Sequence, residues 1–340
     1  MNWENQYLEE DPREREQYLW VSIFYFMMKG CRDEYGLEGE RVMRQAVRDF
    51  GLERALRKRQ RADAAGMPPD LITMSSIKDI YSDPRFSKPC GHERFNISEP
   101  DHSFMKVYTC PNNDMWAVLE GKKSGEYLEI GSIYCEEVHH YLYGKFDPAI
   151  QMNLCEILTK GDECCNFRIH LRKANQKPYS AGEYHPQRWE DFGDNEVSSI
   201  HSMFALHLYH YAKAVYDAFG EEALRKILRA WANERGCRLR EQNRRRGAAN
   251  DLIPLVEQSD LFLDQRIQKT IHTLTPTQAD IRVDRSIVGE MMEDHGAPHL
   301  GRIYRDEVYK AICESYNPDI QVTVIQEDGS SRHTLRMTLA

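Results

Sequence analysis

The sequence predicts an α+β protein of two similar domains, each with N-terminal helices and a small, mainly antiparallel sheet, packed as a pseudo-dimer. Three observations lead there. GSIYCEEVHHYLYGKFDPAIQ (131–151) and GRIYRDEVYKAICESYNPDIQ (301–321) share eight identities in 21 positions at a fixed offset of 170. The same order of helical and strand-like segments follows in both halves. At 340 residues the chain is long enough for two cores. A tandem duplication is the simplest reading, with a first copy at 1–172, a linker at 173–194 and a degenerate second copy at 195–340.

Each copy opens with two helices, at 12–34 and 37–62 and again at 195–218 and 220–245. Leu224, Ile227, Leu228 and Trp231 recur there at helical spacing. FMKVYTC (104–110) alternates like a strand. NDMWAVLEGK (113–122) and a segment around 126–142 read as helices. IQMNLCEIL (150–158) and CNFRIHL (165–171) read as an antiparallel pair joined by a turn at Lys160-Gly161-Asp162. The second copy repeats this order with QADIRVD, SIVGEMMED, YRDEVYKAICES, IQVTVIQ and RHTLRMTL. Upstream, Gly51 aligns with Gly236. Residues 172–195 are rich in Pro, Gly and charge and form the expected linker.

The net charge of −9 argues against a nucleic-acid surface. The basic runs at 54–62 and 238–246 read as solvated helix faces. YLWVSIFYFMM (18–28) is too short to span a bilayer and reads as a buried helix. Nine cysteines without an export signal point to a reducing, cytoplasmic compartment. The expected partner is a small-molecule substrate, with neither nucleic acid nor membrane, and a homo-oligomer is left open.

The two copies differ most in their thiols. Cys31, Cys90, Cys110, Cys135, Cys155, Cys164 and Cys165 fall in the first, and only Cys237 and Cys313 in the second. Cys135 becomes Arg305, and Cys165 becomes His333 after a two-residue deletion. Cys110, Cys135 and Cys165 are the candidate centre, either as ligands of zinc or another divalent metal or with one of them as nucleophile. The competing reading is that free cysteines are small buried hydrophobes. On the helix that carries Cys135, Cys135 pairs with His139 and Glu136 with His140, each one turn apart. Glu136 or His139 would move protons. His201, His207 and His210 read as a polar stripe or as core histidines.

A strand ending in Cys (VYTCP, 107–111), then IGSIYCE (130–136), FDP (146–148) and GDECCNF (161–167), resembles the L-2-amino-thiazoline-4-carboxylic acid hydrolase family. The resemblance covers roughly 20–171. Asp147 stands where Asn is common, and the second copy has lost the motif cysteines. The resemblance implies a hydrolase that adds water to a cyclic amidine and opens the ring to a carbamoyl amino acid. Such chemistry also needs a cation for the substrate carboxylate. Arg168 could supply it, with His140 as a second substrate-binding residue. The alternative is a non-catalytic small-molecule-binding or sensory domain with cysteine-held zinc.

Overall fold

The computed structural model describes residues 12–77, 94–182, 196–257, 267–327 and 331–340. Two compact units emerge. One is built on the described parts of 37–182, the other on 12–36 together with the described parts of 196–340. The chain is α+β, and the two halves are alike.

In the first unit, the C-terminal part of α1 (Pro12–Ala64) is followed by α2 (Leu71–Ser76), β1 (Arg94–Ser98), β2 (His102–Val107), α3 (Pro111–Leu119), α4 (Gly131–Phe146), β3 (Ile150–Glu156) and β4 (Cys165–Leu171). The sheet runs β1-β2-β4-β3, antiparallel throughout. In the second unit, α5 (Glu196–Arg246) leads to α6 (Leu252–Glu257), β5 (Ile267–Leu274), β6 (Gln278–Ser286), α7 (Ile287–Asp294), α8 (Pro298–Tyr316), β7 (Ile320–Gln326) and β8 (His333–Leu339). Its sheet runs β5-β6-β8-β7. The order is thus the same in both sheets. The expected strands at 150–158 and 165–171 and their later counterparts form as read. The edge strands β1 and β5 are additions.

The two long helices each break at one residue. Gly36 (φ 59°, ψ −135°) interrupts α1, and Gly220 (φ 84°, ψ −179°) interrupts α5. Side chains with a Cβ rarely adopt these angles, so glycine ends one helix and lets the next begin.

The sequence division places residues 12–36 with the first copy, but in space they pack in the second unit. Trp20 stacks on His207 with centroids 5.2 Å apart, Tyr35 on Phe219 at 3.8 Å, and Trp231 Nε1 donates to Ser22 Oγ at 2.9 Å. The apolar run at 18–28 is the buried helix its composition predicts, and burial of such side chains is what holds it there. His207 is a satisfied core histidine, with its Nδ1 2.9 Å from the Met203 carbonyl. The side chain of His201 lies outside the described residues.

One expectation fails. The run at 54–62 is not a solvated face, because Arg54, Arg57, Lys58 and Arg59 are all buried. Each has a local reason. Lys58 donates to the Met74 and Ile77 carbonyls, and Arg59 to Asp63, Asp147 and the Phe146 and Tyr179 carbonyls. Arg57 pairs with Glu53, and Arg54 lies over the Phe50 ring. Buried cations persist when hydrogen-bonded in this way. In the later run, Arg244, Arg245 and Arg246 are exposed as expected.

Candidate functional site

Cys110, Cys135 and Cys165 come from three different elements and meet beside the core of the first unit. Cys165 opens β4 and belongs to the apolar cluster with Phe146, Phe167 and Ile169, while Cys110 and Cys135 pack against it. They are close enough for the Cys110 and Cys165 charges to act on Cys135. Cys165 is buried, and Cys110 and Cys135 are half-buried as residues with their thiols desolvated against the core.

Local structure aims each thiol. Cys110 is the N-cap of α3, with Pro111 at the first helical position, and the nearby Asn113 and Asn112 N–H groups favour its thiolate against the larger effect of burial. The helix bearing Cys135 is started by Glu120, whose carboxylate accepts the N–H groups of Glu129, Ile130 and Gly131 at 2.8, 3.0 and 3.0 Å. A carboxylate there satisfies orphan donors and opposes the positive helix end. The short turn Leu158–Lys160 brings the Leu158 N–H to Cys165 Sγ at 3.4 Å. The next residue, Thr159, is buried. Its hydroxyl approaches the Cys135 thiol but makes no hydrogen bond of good geometry.

Burial dominates the electrostatics. It pushes the Cys110 thiol up to about 11 and Cys165 to about 12, and holds Cys135 well above the ordinary thiol value. Neighbouring thiolates would repel one another and add to the rise for Cys135 and Cys165. His139, one turn beyond Cys135, meets the Phe167 ring edge-on at 4.9 Å. Burial, then the Arg54 charge, lowers it to about 4, so at neutral pH it is an unprotonated imidazole able to accept a proton.

Other expected residues are elsewhere. Glu136 is held by Arg44 at 3.0 Å and Lys160 at 2.5 Å, which keep its carboxyl below the usual range despite partial burial. Arg168 is exposed over the Phe104 ring, on the face of β4 opposite Cys165. Alternation along the strand puts residues 165, 167 and 169 inward and 166, 168 and 170 the other way. His140 is exposed on α4. The structure therefore does not bring Arg168 or His140 to the thiols. Among the described residues no group of three or more His, Cys, Asp or Glu side chains is arranged to hold a metal ion. Cys155 is exposed at a bulge in β3, and Cys90 lies outside the described residues. An open cleft of about 540 Å³ lies at the far end of β4, lined by Asp101, His102, Gln151, His170 and Arg172, and contains none of the thiols.

Residues 17–169 match the family model described as L-2-amino-thiazoline-4-carboxylic acid hydrolase. The match covers less than half of the chain and supports assigning this region to that family. The match supports a hydrolase-like function at the level of the family and takes in all three thiols. No curated protein and no solved structure matches the chain. In the matched region Thr159 lies beside Cys135 and the buried Arg54 acts on His139, roles that the sequence did not single out for either residue. Only the position of Thr159 within the Cys155–Cys165 turn hinted at its role. No helix among the described residues is long and apolar enough to cross a membrane.

The register of the second unit identifies what replaces the thiols. Val107 pairs with Cys165 as Val283 pairs with His333, so Cys110 corresponds to Ser286, the N-cap of α7. Cys135 corresponds to Arg305, His139 to Tyr309 and Cys165 to His333.

Proposed function

We propose that the first unit hydrolyses a small cyclic amidine at the thiol centre, and that the chain is a duplication whose second copy gave up this chemistry. The observation that carries the reading is the convergence of Cys110, Cys135 and Cys165 within the family-matched region.

Cys135 is the nucleophile in this reading. Its sulfur adds to the carbon between ring sulfur and ring nitrogen while its proton passes to His139. The carbon–sulfur bond of the ring breaks, and the departing sulfur takes the proton back. Water then adds at the same carbon, and the Cys135 sulfur leaves with a proton to give the carbamoyl amino acid. His139 is unprotonated at pH 7 and so has a free lone pair, but at about 4 it is a weak base for this thiol, and the transfer requires that the bound substrate raise it. Arg54, buried and close enough to perturb His139, takes the role of carboxylate partner expected of Arg168. The alternative, a non-catalytic binding unit, is favoured by the high thiol pKa values, which keep all three cysteines neutral at pH 7.

The test is turnover of 2-amino-thiazoline-4-carboxylate and metal content by the full-length protein and by Cys110→Ala, Cys135→Ala and Cys165→Ala. Loss of turnover in Cys135→Ala by about 100-fold or more, with folding intact, is expected for a nucleophile. A Cys135→Ala protein with unchanged turnover and metal content would sink the proposal.

A further inference from the structure

We propose that the second unit binds a small carboxylate at Arg305 and His333, the positions where the first unit carries Cys135 and Cys165. The inference does not rest on the hydrolase reading. It starts from a buried charge that feels the Asp306 and Glu293 carboxylates at a distance but forms no ion pair among the described residues. Arg305 is 4% exposed, and its one hydrogen bond is from Nη2 to Gln326 Oε1 at 3.3 Å, while its Nε is buried with no partner. No ion pair with a carboxylate reaches it among the described residues. Gln326 cannot turn to help further, since its own amide nitrogen donates to Asp306 Oδ1 at 2.6 Å.

His333 presents the complementary half. It is fully buried, and its Nδ1 lies 2.9 Å from the Ser331 carbonyl. A carbonyl only accepts, so Nδ1 carries a proton and Nε2 is left as the free ring edge. That Nε2 is also buried without a partner. Gln326 and His333 are paired across β7 and β8, so Arg305, reaching Gln326, arrives at the same inner corner of the sheet. The Arg305 charge is felt at the His333 ring. Tyr309 stacks on that ring, with centroids 5.5 Å apart and planes at 29°, and fixes its orientation.

Two buried polar atoms in one corner, neither with a protein partner among the described residues, are expensive to leave unpaired. A carboxylate satisfies both. One oxygen accepts from Arg305 Nε, and the other shares a proton with His333 Nε2, brought by the ligand or taken up by the ring. Replacing two thiols by a guanidinium and an imidazole thus converts a sulfur centre into an anion receptor. Burial lowers the pKa of Arg305 and takes His333 to about 4, as expected of cation sites waiting for an anion.

The test is thermal unfolding of the full-length protein in acetate, in inorganic phosphate and in chloride at equal ionic strength. Acetate is expected to raise Tm by about 2–4 °C over chloride once it exceeds Kd several-fold. Arg305→Met should lose that response while being no less stable than wild type in chloride, because it removes an unpaired buried charge. His333→Phe, which keeps a ring against Tyr309, should lose it too and serves if Arg305→Met fails to fold. No acetate response, or the same response in either variant, overturns the proposal. A response to phosphate and not acetate overturns the carboxylate assignment.

Discussion

Gly236 tests the packing on which both halves depend. It sits where α5 crosses α8, as Gly51 sits where α1 crosses α4. A Cβ on Gly236 would lie 2.3 Å from the Ile312 carbonyl oxygen, 2.0 Å from Ser315 Oγ and 3.0 Å from the Tyr316 nitrogen. Ser315 can rotate, but the Ile312 carbonyl is backbone and must retreat by about 1 Å to restore ordinary contact, which spreads the strain over two helices. Overpacking of this kind costs about 1–3 kcal/mol or more. Against it, alanine is favoured over glycine inside a helix by about 1 kcal/mol. The clash is severe enough to win, so Gly236→Ala should lose about 2 kcal/mol net. At Gly51 the nearest atom, the Val138 carbonyl oxygen, is at 2.9 Å, so Gly51→Ala should lose about 1 kcal/mol or less. Urea unfolding followed by circular dichroism reads both as a lower midpoint at unchanged slope. Adding Ser315→Ala should not rescue Gly236→Ala, because the backbone clash remains. A Gly236→Ala protein as stable as wild type, or more stable, would refute the reasoning, since helix propensity alone gives that sign.

Two further outcomes follow from the electrostatics. His139 and His333 both sit near 4 when folded, below the ordinary value of about 6.5, so the folded state binds fewer protons than the unfolded one. Their stabilising share is present above pH 6.5 and is lost as pH falls through 4, so His333→Phe should flatten the midpoint of urea unfolding against pH in that window. Thiol titration of the native protein at pH 8 should modify the exposed Cys155 and Cys237 first, with Cys110, Cys135 and Cys165 slow. Equal rates at Cys135 and Cys155 would contradict the burial described.

The helices and the inner strands were legible because their apolar spacing recurs in both halves, and Cys165–Leu171 alternates cleanly. The edge strands Arg94–Ser98 and Ile267–Leu274 were not, because an edge strand with Phe95, Ile97 or Ile271 exposed does not alternate buried with solvated positions. At the site, comparing the halves singled out Cys135 and Cys165, and the VYTCP segment added Cys110; the three thiols lie close enough to act on one another. Arg168 was placed by chemistry rather than by register. An inward Cys165 already implies an outward residue three positions on. Arg54, Arg57, Lys58 and Arg59 read as a wet face because a one-dimensional charge run does not reveal which carbonyls and carboxylates will surround it. Nothing in the sequence says whether the apolar helix at 18–28 packs on the helix pair that follows it or on the similar one nearly two hundred residues later.

That last choice has a consequence for synthesis. Residues 12–36 leave the ribosome early, yet Phe204, Tyr211 and Trp231 in their packing environment are made much later. From Gly36 to Glu196 is 160 residues, which at about 5–20 residues per second leaves the nascent helix waiting on the order of 10–30 s. During that interval Leu19, Trp20, Phe24 and Met27, all buried in the finished protein, have no native surface to cover them. Chaperone capture of the nascent chain, and misassembly when translation stalls between the two halves, should therefore concentrate on this first helix rather than on the strands.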